Sequence, residues 1–176
     1  VRDLMRHTSG LTYGAFGNTP VDKAYRKAGV LDQDSDLAGM AGKIAKLPLV
    51  FHPGAKFNYS VSTDLLGRLV EIWSGQRFDR FLKQRIFTPL DMKDTGFQVR
   101  PQKVERLANV YSPAGKGKLR VAETARGSEF LTKPKLLSGG GGLISTTRDY
   151  LHFLQMIANG GELFGKRLLQ RETVAL

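Results

Sequence analysis

At 176 residues, with 41% hydrophobic residues, the chain is long enough to form one ordinary domain around a buried core. The sequence has no cysteine, which excludes disulfides, thiolate metal sites and a cysteine nucleophile. No run of residues is apolar enough to span a bilayer. The 27 Lys and Arg outnumber the 16 Asp and Glu, and the formal net charge is +11.

Helical spacing of apolar residues dominates the first half of the chain. Leu4 and Met5 are predicted to be buried in a helix end that Gly10 stops in a left-handed conformation. Four more helices are predicted, over residues 21–28, 36–46, 63–74 and 77–87. Ser35 and Ser62 are the predicted N-caps of the second and third of these. The buried stripe of the helix after Ser62 is predicted to contain Leu65, Leu66, Leu69, Val70 and Trp73.

The second half of the chain predicts short strands, turns and one longer helix. The strands are predicted over residues 97–99, 109–111 and 119–122. Thr146 and Asp149 have capping-box spacing and open a helix that reaches Ala158, with three predicted buried residues, Leu151, Leu154 and Ile157. A terminal helix is predicted after Gln170. Together these elements predict a mainly helical α+β fold in which residues 1–176 form one domain or a large lobe of a bigger one.

Residues 100–135 are the most basic part of the chain, with nine Lys or Arg and only three Glu. Such a segment could attract nucleic acid or another anionic surface. Its charges, however, are scattered singly among Pro, Gly and Ser, and regularly spaced aromatic residues for base stacking are missing. We therefore favour a solvated face and expect no nucleic-acid partner. The alternative, an anion-binding module, predicts salt-dependent retention of DNA.

Several catalytic signatures are missing from the sequence. Residues 136–140 (LLSGG) lack the leading glycine of a nucleophile elbow, and the glycine run at 139–142 lacks the third glycine of a dinucleotide fingerprint. His7, His52 and His152 lie far apart without zinc-site spacing, so neither a metal nor a cofactor is expected. By composition, the glycine run indicates a tight connection that allows close packing. The functional alternative is a cleft edge where substrate passes close to the backbone.

Tyr59 is the most specific candidate for chemistry. It follows the turn at residues 53–54, ends a short extended segment and stands just before a helix N-terminus, where Asp64 lies favourably against the helix dipole. The ordinary pKa of a tyrosine is about 10, so its phenol is a poor base unless a nearby cation lowers that pKa. Spacing alone therefore favours a core residue with a satisfied hydroxyl over a catalytic one.

Five motifs occur in a fixed order along the chain: residues 4–11 (LMRHTSGL), 51–60 (FHPGAKFNYS), 65–71 (LLGRLVE), 86–95 (IFTPLDMKDT) and 140–149 (GGGLISTTRD). In order and spacing they resemble the β-lactamase-related serine hydrolases, which include the class C β-lactamases, the DD-peptidases and the β-lactamase-like carboxylesterases. The resemblance covers nearly the whole chain. Five ordered motifs are far more specific than any one of them.

The resemblance implies an acyl-enzyme mechanism that uses three motifs: a Ser-x-x-Lys, a Tyr-x-Asn and a Lys-Thr-Gly or His-x-Gly strand. Tyr59 matches the tyrosine of the second motif. The resemblance therefore implies that Tyr59, near the lysine of the first motif, moves the proton between the nucleophilic serine, the leaving group and water. The candidate substrate-binding residues of the same site are Ser60, Val61, Gly140 and Gly141.

The other two motifs are not found in this chain. No serine has a lysine three positions later, and in residues 93–96 (KDTG) an aspartate interrupts the Lys-Thr-Gly pattern. The resemblance thus implies that residues 1–176 are an internal segment, largely the helical lobe of the β-lactamase/DD-peptidase-like fold, with most of the α/β lobe missing. We expect this polypeptide alone to hydrolyse neither esters nor β-lactams.

Val61 departs from the pattern of the family, which usually has Asn at this position in its β-lactamases and peptidases. An Asn there can bond to a substrate amide, and a valine cannot. This favours ester hydrolysis or acyl transfer on a small-molecule ester or amide. Two alternatives stay open: β-lactamase or DD-peptidase activity, and a non-catalytic binding or sensor module that kept the fold. The sequence leaves the compartment and the oligomeric state open.

Overall fold

A computed structural model describes residues 1–175. The α-helices are α1 (Arg2–Met5), α2 (Pro20–Lys27), α3 (Leu37–Ile44), α4 (Ser62–Ser74), α5 (Phe78–Leu82), α6 (Thr147–Ala158) and α7 (Arg171–Val174). A π-helical turn, Lys83–Phe87, extends α5, and 3-10 turns occupy Pro101–Arg106, Ala125–Gly127 and Glu129–Leu131. The strands form two antiparallel hairpins, β1 (Val110–Pro113) with β2 (Leu119–Glu123), and β3 (Glu162–Leu163) with β4 (Lys166–Arg167). The mainly helical α+β prediction is confirmed. None of the helices in this part of the chain is both long and apolar enough to cross a bilayer.

The larger hydrophobic core lies between α2, α3, α4 and the segments that pack on them. Its buried members are Leu11, Tyr25, Val30, Leu37, Met40, Ile44, Val61, Phe78, Phe97, Leu136 and Leu137. Gly67 allows α4 to approach its neighbours closely, since a Cβ there would lie 3.3 Å from the Phe78 ring and 3.4 Å from Leu37 Cδ1. The core therefore holds α4 between α3 and α5, and the start of α4 is fixed with it.

The buried face of α4 differs from the predicted stripe. Trp73 is 68% exposed, and the four aliphatic residues of the stripe are only half-buried. The fully covered positions of the helix are Ser62, Asp64 and Gly67. Polar contacts to distant segments thus decide the rotation of α4 along with apolar burial. At the N-terminus Met5 is exposed rather than buried as predicted, and Leu4 is half-buried.

Two N-caps lie one residue away from their predicted positions. Asp36, and not Ser35, caps α3, because its Oδ1 accepts a hydrogen bond from the Gly39 amide at 2.7 Å. Ser62 is the first residue of α4, and Val61 occupies the N-cap position without a side-chain bond. The Ser62 hydroxyl is engaged instead with two other serines, which removes it from capping.

The start of α6 confirms half of the predicted capping box. Thr146 Oγ1 accepts from the Asp149 amide at 3.2 Å. The Asp149 carboxylate turns away from the helix start and accepts from the Asp94 amide at 2.7 Å and from the Thr95 hydroxyl at 2.9 Å. This long-range contact orients the helix, because it brings the first turn of α6 onto residues 94–95.

A smaller core lies under the inner face of α6 and consists of Phe87, Leu90, Met92 and Met156. The predicted buried residues of the helix are only partly correct. Leu151 and Leu154 are exposed, whereas Ile157 is half-buried against this core. Leucine spacing predicted the wrong side of the helix, because the buried side is the one that carries Asp149 and Met156.

The strand predictions hold for one hairpin. β1 and β2 pair where residues 109–111 and 119–122 were predicted to be strands. Residues 97–99 form no strand: Gly96 makes an isolated bridge with Ile144, and the Val99 amide donates to the Phe130 carbonyl. The β3–β4 hairpin was not predicted, because strands of two residues carry no periodic pattern. Helix α7 confirms the predicted helix after Gln170.

Acidic partners neutralise part of the basic segment. Lys103 and Arg106 both contact the Asp94 carboxylate, and Lys135 Nζ lies 3.1 Å from Asp34 Oδ1. A shallow cleft of about 100 Å³ borders the first of these clusters. Much of the remaining positive charge lies on the exposed β1–β2 hairpin. This arrangement fits the solvated face that the sequence favours.

Candidate active site

Tyr59 stands three residues before α4, where its phenol ring lies among other aromatic rings. The ring centroid is 4.9 Å from that of His7, 5.2 Å from that of Tyr13 and 6.3 Å from that of Phe16. The residue is 51% exposed. The predicted core position of a lone tyrosine is therefore wrong for Tyr59, which presents its phenol at the surface.

Hydrogen bonds to the segment after α1 hold the backbone around Tyr59. The Asn58 amide donates to the His7 carbonyl at 2.8 Å, and the Asn58 side chain donates to the Leu11 carbonyl at 2.7 Å. The Ser60 amide donates to His7 Nδ1 at 3.3 Å. Since Nδ1 accepts this bond, the ring proton of a neutral His7 is on Nε2. Bonds on both sides of Tyr59 thus fix its position.

Three buried serines continue this support behind Tyr59. Ser62 Oγ lies 2.8 Å from Ser60 Oγ and 2.8 Å from Ser9 Oγ. Ser60 and Val61, both predicted to bind substrate, have no exposed surface. Their direct contact with a substrate stays a prediction. What the structure shows is that Ser60 is bonded to His7 and Ser62, and that Val61 belongs to the core.

The glycine run lies against the first turn of α4. Asp64 Oδ1 accepts from the Ser138 hydroxyl at 2.6 Å and from the Gly140 amide at 3.3 Å. A Cβ on Gly139 would collide with the Thr63 carbonyl oxygen, so the backbones touch there. The prediction of a tight connection is confirmed, because the missing side chains are what allow this approach.

Gly140 and Gly141, the other two predicted substrate-binding residues, have different surroundings. A Cβ on Gly140 would lie 2.7 Å from the Tyr13 hydroxyl and 3.1 Å from Thr63 Oγ1, whereas a Cβ on Gly141 would have open space around it. Tyr13 therefore links Gly140 to Tyr59, since its ring packs on Tyr59 and its hydroxyl reaches Gly140. Gly141 lies on the exposed edge of the same surface.

The electrostatics of this surface are set by a buried carboxylate. Asp64 has no exposed surface, and its Oδ2 is buried with no hydrogen-bond partner among the described residues. Burial, then the charge of Asp64, then the contact with Tyr59 raise the pKa of Tyr13 to about 12. Tyr13 is thus a neutral phenol at physiological pH, and it can donate a hydrogen bond.

Within residues 1–175, no three His, Cys, Asp or Glu side chains lie close enough together to hold a metal ion. His152 Nδ1 is 2.9 Å from the Leu90 carbonyl, and His7 is engaged with Ser60.

The surface around Tyr59 presents a half-exposed phenol, a second phenol and an exposed glycine backbone. These groups are suited to moving a proton beside a polar substrate.

A comparison with protein-family models matches the Beta-lactamase model to residues 1–176. The chain belongs to the beta-lactamase family. Among curated relatives, an uncharacterized protein of Mycobacterium tuberculosis is 35% identical over 176 residues, covering 100% of this chain and 43% of that protein. Esterase EstB of Burkholderia gladioli is 30% identical over 183 residues, covering 93% of this chain and 45% of the esterase.

Solved structures of the beta-lactamase family share the fold. Unliganded simvastatin synthase (LovD) from Aspergillus terreus aligns with a TM-score of 0.75 and 29% identity, over 99% of this chain and 41% of the synthase. EstCE1, a hydrolase with promiscuous acyltransferase activity, aligns with a TM-score of 0.77 and 26% identity, over 99% of this chain and 49% of that protein. The chain therefore spans less than half the length of these relatives. The resemblance drawn from the five motifs is confirmed.

Sequence reasoning missed four residues of this site: His7, Tyr13, Asp64 and Ser138. Histidine at the end of a helix indicated only a structural role, and Asp64 indicated only a favourable dipole interaction. A signal for His7 existed, because it belongs to one of the five motifs. The contact between Asp64 and Ser138 joins positions 74 residues apart, and no local pattern predicts it.

Proposed function

We propose that this chain is part of a serine hydrolase that works through an acyl-enzyme, with ester hydrolysis or acyl transfer as its reaction. The observation that carries the proposal is Tyr59, a half-exposed phenol fixed by backbone bonds on either side at the position of the family's tyrosine. Membership of the beta-lactamase family supports the same reaction class. No cofactor or metal is needed for it.

In the proposed mechanism Tyr59 carries one proton in each of two half-reactions. Its phenolate takes the proton of the nucleophilic serine as the serine oxygen bonds to the acyl carbon, and it returns that proton to the leaving alcohol as the ester C–O bond breaks. A water or an acceptor alcohol then loses its proton to Tyr59 and attacks the acyl-enzyme. The serine leaves with that proton, and Tyr59 is regenerated.

The nucleophile of this mechanism must come from outside residues 1–176, since no serine here has lysine three positions later. We propose that the chain corresponds to the helical lobe of a longer protein, whose remaining lobe supplies the Ser-x-x-Lys and the third motif. The relatives, more than twice as long as this chain, support that division. Gly140 and Gly141 would form one edge of the cleft between the lobes.

The chain by itself is expected to be inactive. Purified residues 1–176 should give no turnover of p-nitrophenyl butyrate or nitrocefin above the uncatalysed rate, because the acyl-accepting serine is missing. Turnover that disappears on Tyr59→Phe would refute this part of the proposal. Circular dichroism of the same sample shows whether the polypeptide is folded, so that inactivity is not confused with unfolding.

The substrate that donates the acyl group is proposed to be an ester rather than a β-lactam. Val61 offers no amide at the third position of the tyrosine motif, and it is completely buried in the core. Relatives named as an esterase and as monacolin J acid methylbutanoyltransferase support acyl esters as substrates. Amides are a second candidate, since an aligned structure is a D-amino acid amidase.

The test uses the full-length protein with p-nitrophenyl butyrate and nitrocefin. We expect a burst of p-nitrophenol, a butyryl adduct on one serine in the intact mass spectrum, and a higher kcat/KM for the ester. Dominant nitrocefin hydrolysis would establish the β-lactamase alternative. If neither substrate forms an adduct although the Ser-x-x-Lys is present, the non-catalytic binding module becomes the better account.

A further inference from the structure

Tyr13 places a second phenol beside Tyr59. It lies two residues beyond the motif at residues 4–11, and its half-buried ring packs at 5.2 Å from the ring of Tyr59. Its hydroxyl points toward the glycine run, where it lies 2.7 Å from the position that a Cβ on Gly140 would take. Phe16 packs on Tyr13 edge to face at 5.6 Å.

Asp64 faces the same small space from the other side. Its Oδ2 lies 3.3 Å from the same point next to Gly140, and Thr63 Oγ1 lies 3.1 Å from it. Among residues 1–175 this oxygen has no hydrogen-bond partner, whereas Oδ1 accepts from Ser138 and Gly140. A buried carboxylate oxygen without a partner is costly, so a role beyond holding the glycine run is expected for it.

We propose that Tyr13 is a positioning residue of the active site, which stays protonated beside the Asp64 carboxylate and donates a hydrogen bond to the Tyr59 oxygen. The inference rests on the proposed function in one respect, namely that Tyr59 is the phenol that carries the proton. Geometry separates the two phenols. Tyr13 is half-buried, and its hydroxyl lies near the same point at Gly140 as the Asp64 carboxylate, whereas Tyr59 is half-exposed with its ring 4.9 Å from that of His7.

The electrostatics support this division of roles. Burial is the largest cause that raises the pKa of Tyr13 to about 12, the Asp64 charge is the second, and hydrogen bonding with Tyr59 is the third. The charged or titratable groups facing the pair are Asp64 from α4 and His7 from the segment after α1. A neutral donor stabilises a phenolate, so a hydrogen bond from Tyr13 would favour the use of Tyr59 as a base.

The direct test is a titration of ¹³Cζ-labelled tyrosines by NMR between about pH 8 and 13. In Tyr13→Phe the midpoint of Tyr59 should rise by about one pH unit, the size expected for one hydrogen bond to a charged oxygen. Tyr150→Phe is the matched control, because Tyr150 is exposed on α6, and it should leave the midpoint of Tyr59 unchanged. An unchanged Tyr59 midpoint in Tyr13→Phe would overturn the proposal.

A second variant keeps the test valid if the loss of Tyr13 disturbs the fold. Replacing Tyr13 by 3-fluorotyrosine makes this phenol more acidic and a better donor at nearly the same size, so the midpoint of Tyr59 should fall. Asp64→Asn should lower the midpoint of Tyr13 from about 12 toward its ordinary value, because the raising charge is removed. A Tyr13 that loses its proton before Tyr59 in the wild type would also overturn the proposal.

Kinetics of the full-length protein distinguish this inference from the proposed function. If Tyr59 is the base, kcat/KM for the ester rises with pH along the titration of Tyr59, and Tyr13→Phe moves that limb to higher pH. A merely structural role would lower kcat without moving the limb, which would contradict a donor role for Tyr13. If Tyr59→Phe leaves turnover unchanged, the proposed function fails, while the NMR titration still decides whether Tyr13 donates to Tyr59.

Discussion

At the scale of single residues, the site depends on how closely two segments approach each other. The glycine run contacts the first turn of α4. The space that a Cβ atom would find differs sharply from one glycine of the run to the next. Gly139 faces a backbone carbonyl, Gly140 faces two hydroxyls and Gly141 faces open space. Three adjacent positions of one residue type therefore form an internal series for testing the site.

The series Gly139→Ala, Gly140→Ala and Gly141→Ala should give three different results. Gly139→Ala should lower the free energy of unfolding by about 1–3 kcal/mol, because the methyl group meets backbone that cannot move aside. Gly140→Ala should cost less stability but displace the Tyr13 hydroxyl, which is seen as a changed Tyr13 resonance. Gly141→Ala should stay within about 0.5 kcal/mol of the wild type. Equal effects in urea unfolding for Gly139 and Gly141 would contradict the packing.

Tyr25 shows a different effect of burial, because its hydroxyl has no hydrogen-bond partner in the described residues and only 1% of the residue is exposed. Tyr25→Phe removes a polar group that is already unsatisfied. We expect the free energy of unfolding at neutral pH to stay the same or to increase by up to about 1 kcal/mol. In contrast, Ile44→Ala in the same core should lower it by about 2–5 kcal/mol.

The same substitution should change the alkaline stability. Burial raises the pKa of Tyr25 from 10.0 to about 12, so between these values the folded state keeps a proton that the unfolded state has lost. Titration of Tyr25 therefore leaves the free energy of unfolding unchanged below pH 10. It lowers this free energy as the pH rises from 10 toward 12. Tyr25→Phe should therefore make this decrease shallower in unfolding curves recorded at several pH values. An identical slope in both proteins would contradict the burial of this phenol.

At the scale of elements, the sequence predicted where helices occur better than which side they bury. Apolar spacing located α3, α4 and α6, and the glycines at 75 and 160–161 follow the ends of α4 and α6. Spacing failed where a buried carboxylate decides the rotation, as Asp64 does in α4 and Asp149 does in α6. Both carboxylates bind groups more than 50 residues away, and a local pattern contains no information about such partners.

The candidate site shows the same division. Tyr59 and the glycine run could be predicted, because ordered motifs contain them. The contacts that connect Tyr59 with the glycine run could not be predicted, because they are made by Tyr13 and Asp64. These contacts form only when the loop before α2 and the glycine run both pack against the start of α4. Sequence motifs thus indicate which segments matter, and tertiary packing decides which side chains meet.

The cap of α3 provides a test at this scale with a control one residue away. Asp36→Ala removes the bond from Asp36 Oδ1 to the Gly39 amide and should cost about 1 kcal/mol of unfolding free energy. Ser35→Ala should change it by less than about 0.5 kcal/mol, because the Ser35 hydroxyl makes only a 3.4 Å contact with the Asp36 carbonyl. Urea unfolding measures both, and a larger cost for Ser35→Ala would place the cap at the predicted residue after all.

At the scale of the whole molecule, we propose that the chain carries one side of a catalytic arrangement. The curated relatives compared with it are more than twice as long, and in the proposed mechanism the face with Tyr59, Tyr13 and Gly140 is the surface to which a nucleophile would be presented. The net charge of +11 does not by itself indicate nucleic acid, because acidic side chains pair with several of the basic residues in segment 100–135.

The most direct measurement is the rate of ester hydrolysis by the full-length protein with Tyr59→Phe. This variant keeps the ring that packs on His7 and Tyr13 and removes only the oxygen that is proposed to carry the proton. We predict that kcat for p-nitrophenyl butyrate falls by about 10²- to 10⁴-fold, whereas the control Tyr150→Phe retains the wild-type rate. A Tyr59→Phe variant that is folded and hydrolyses the ester at the wild-type rate would contradict the assignment of Tyr59 as the proton carrier.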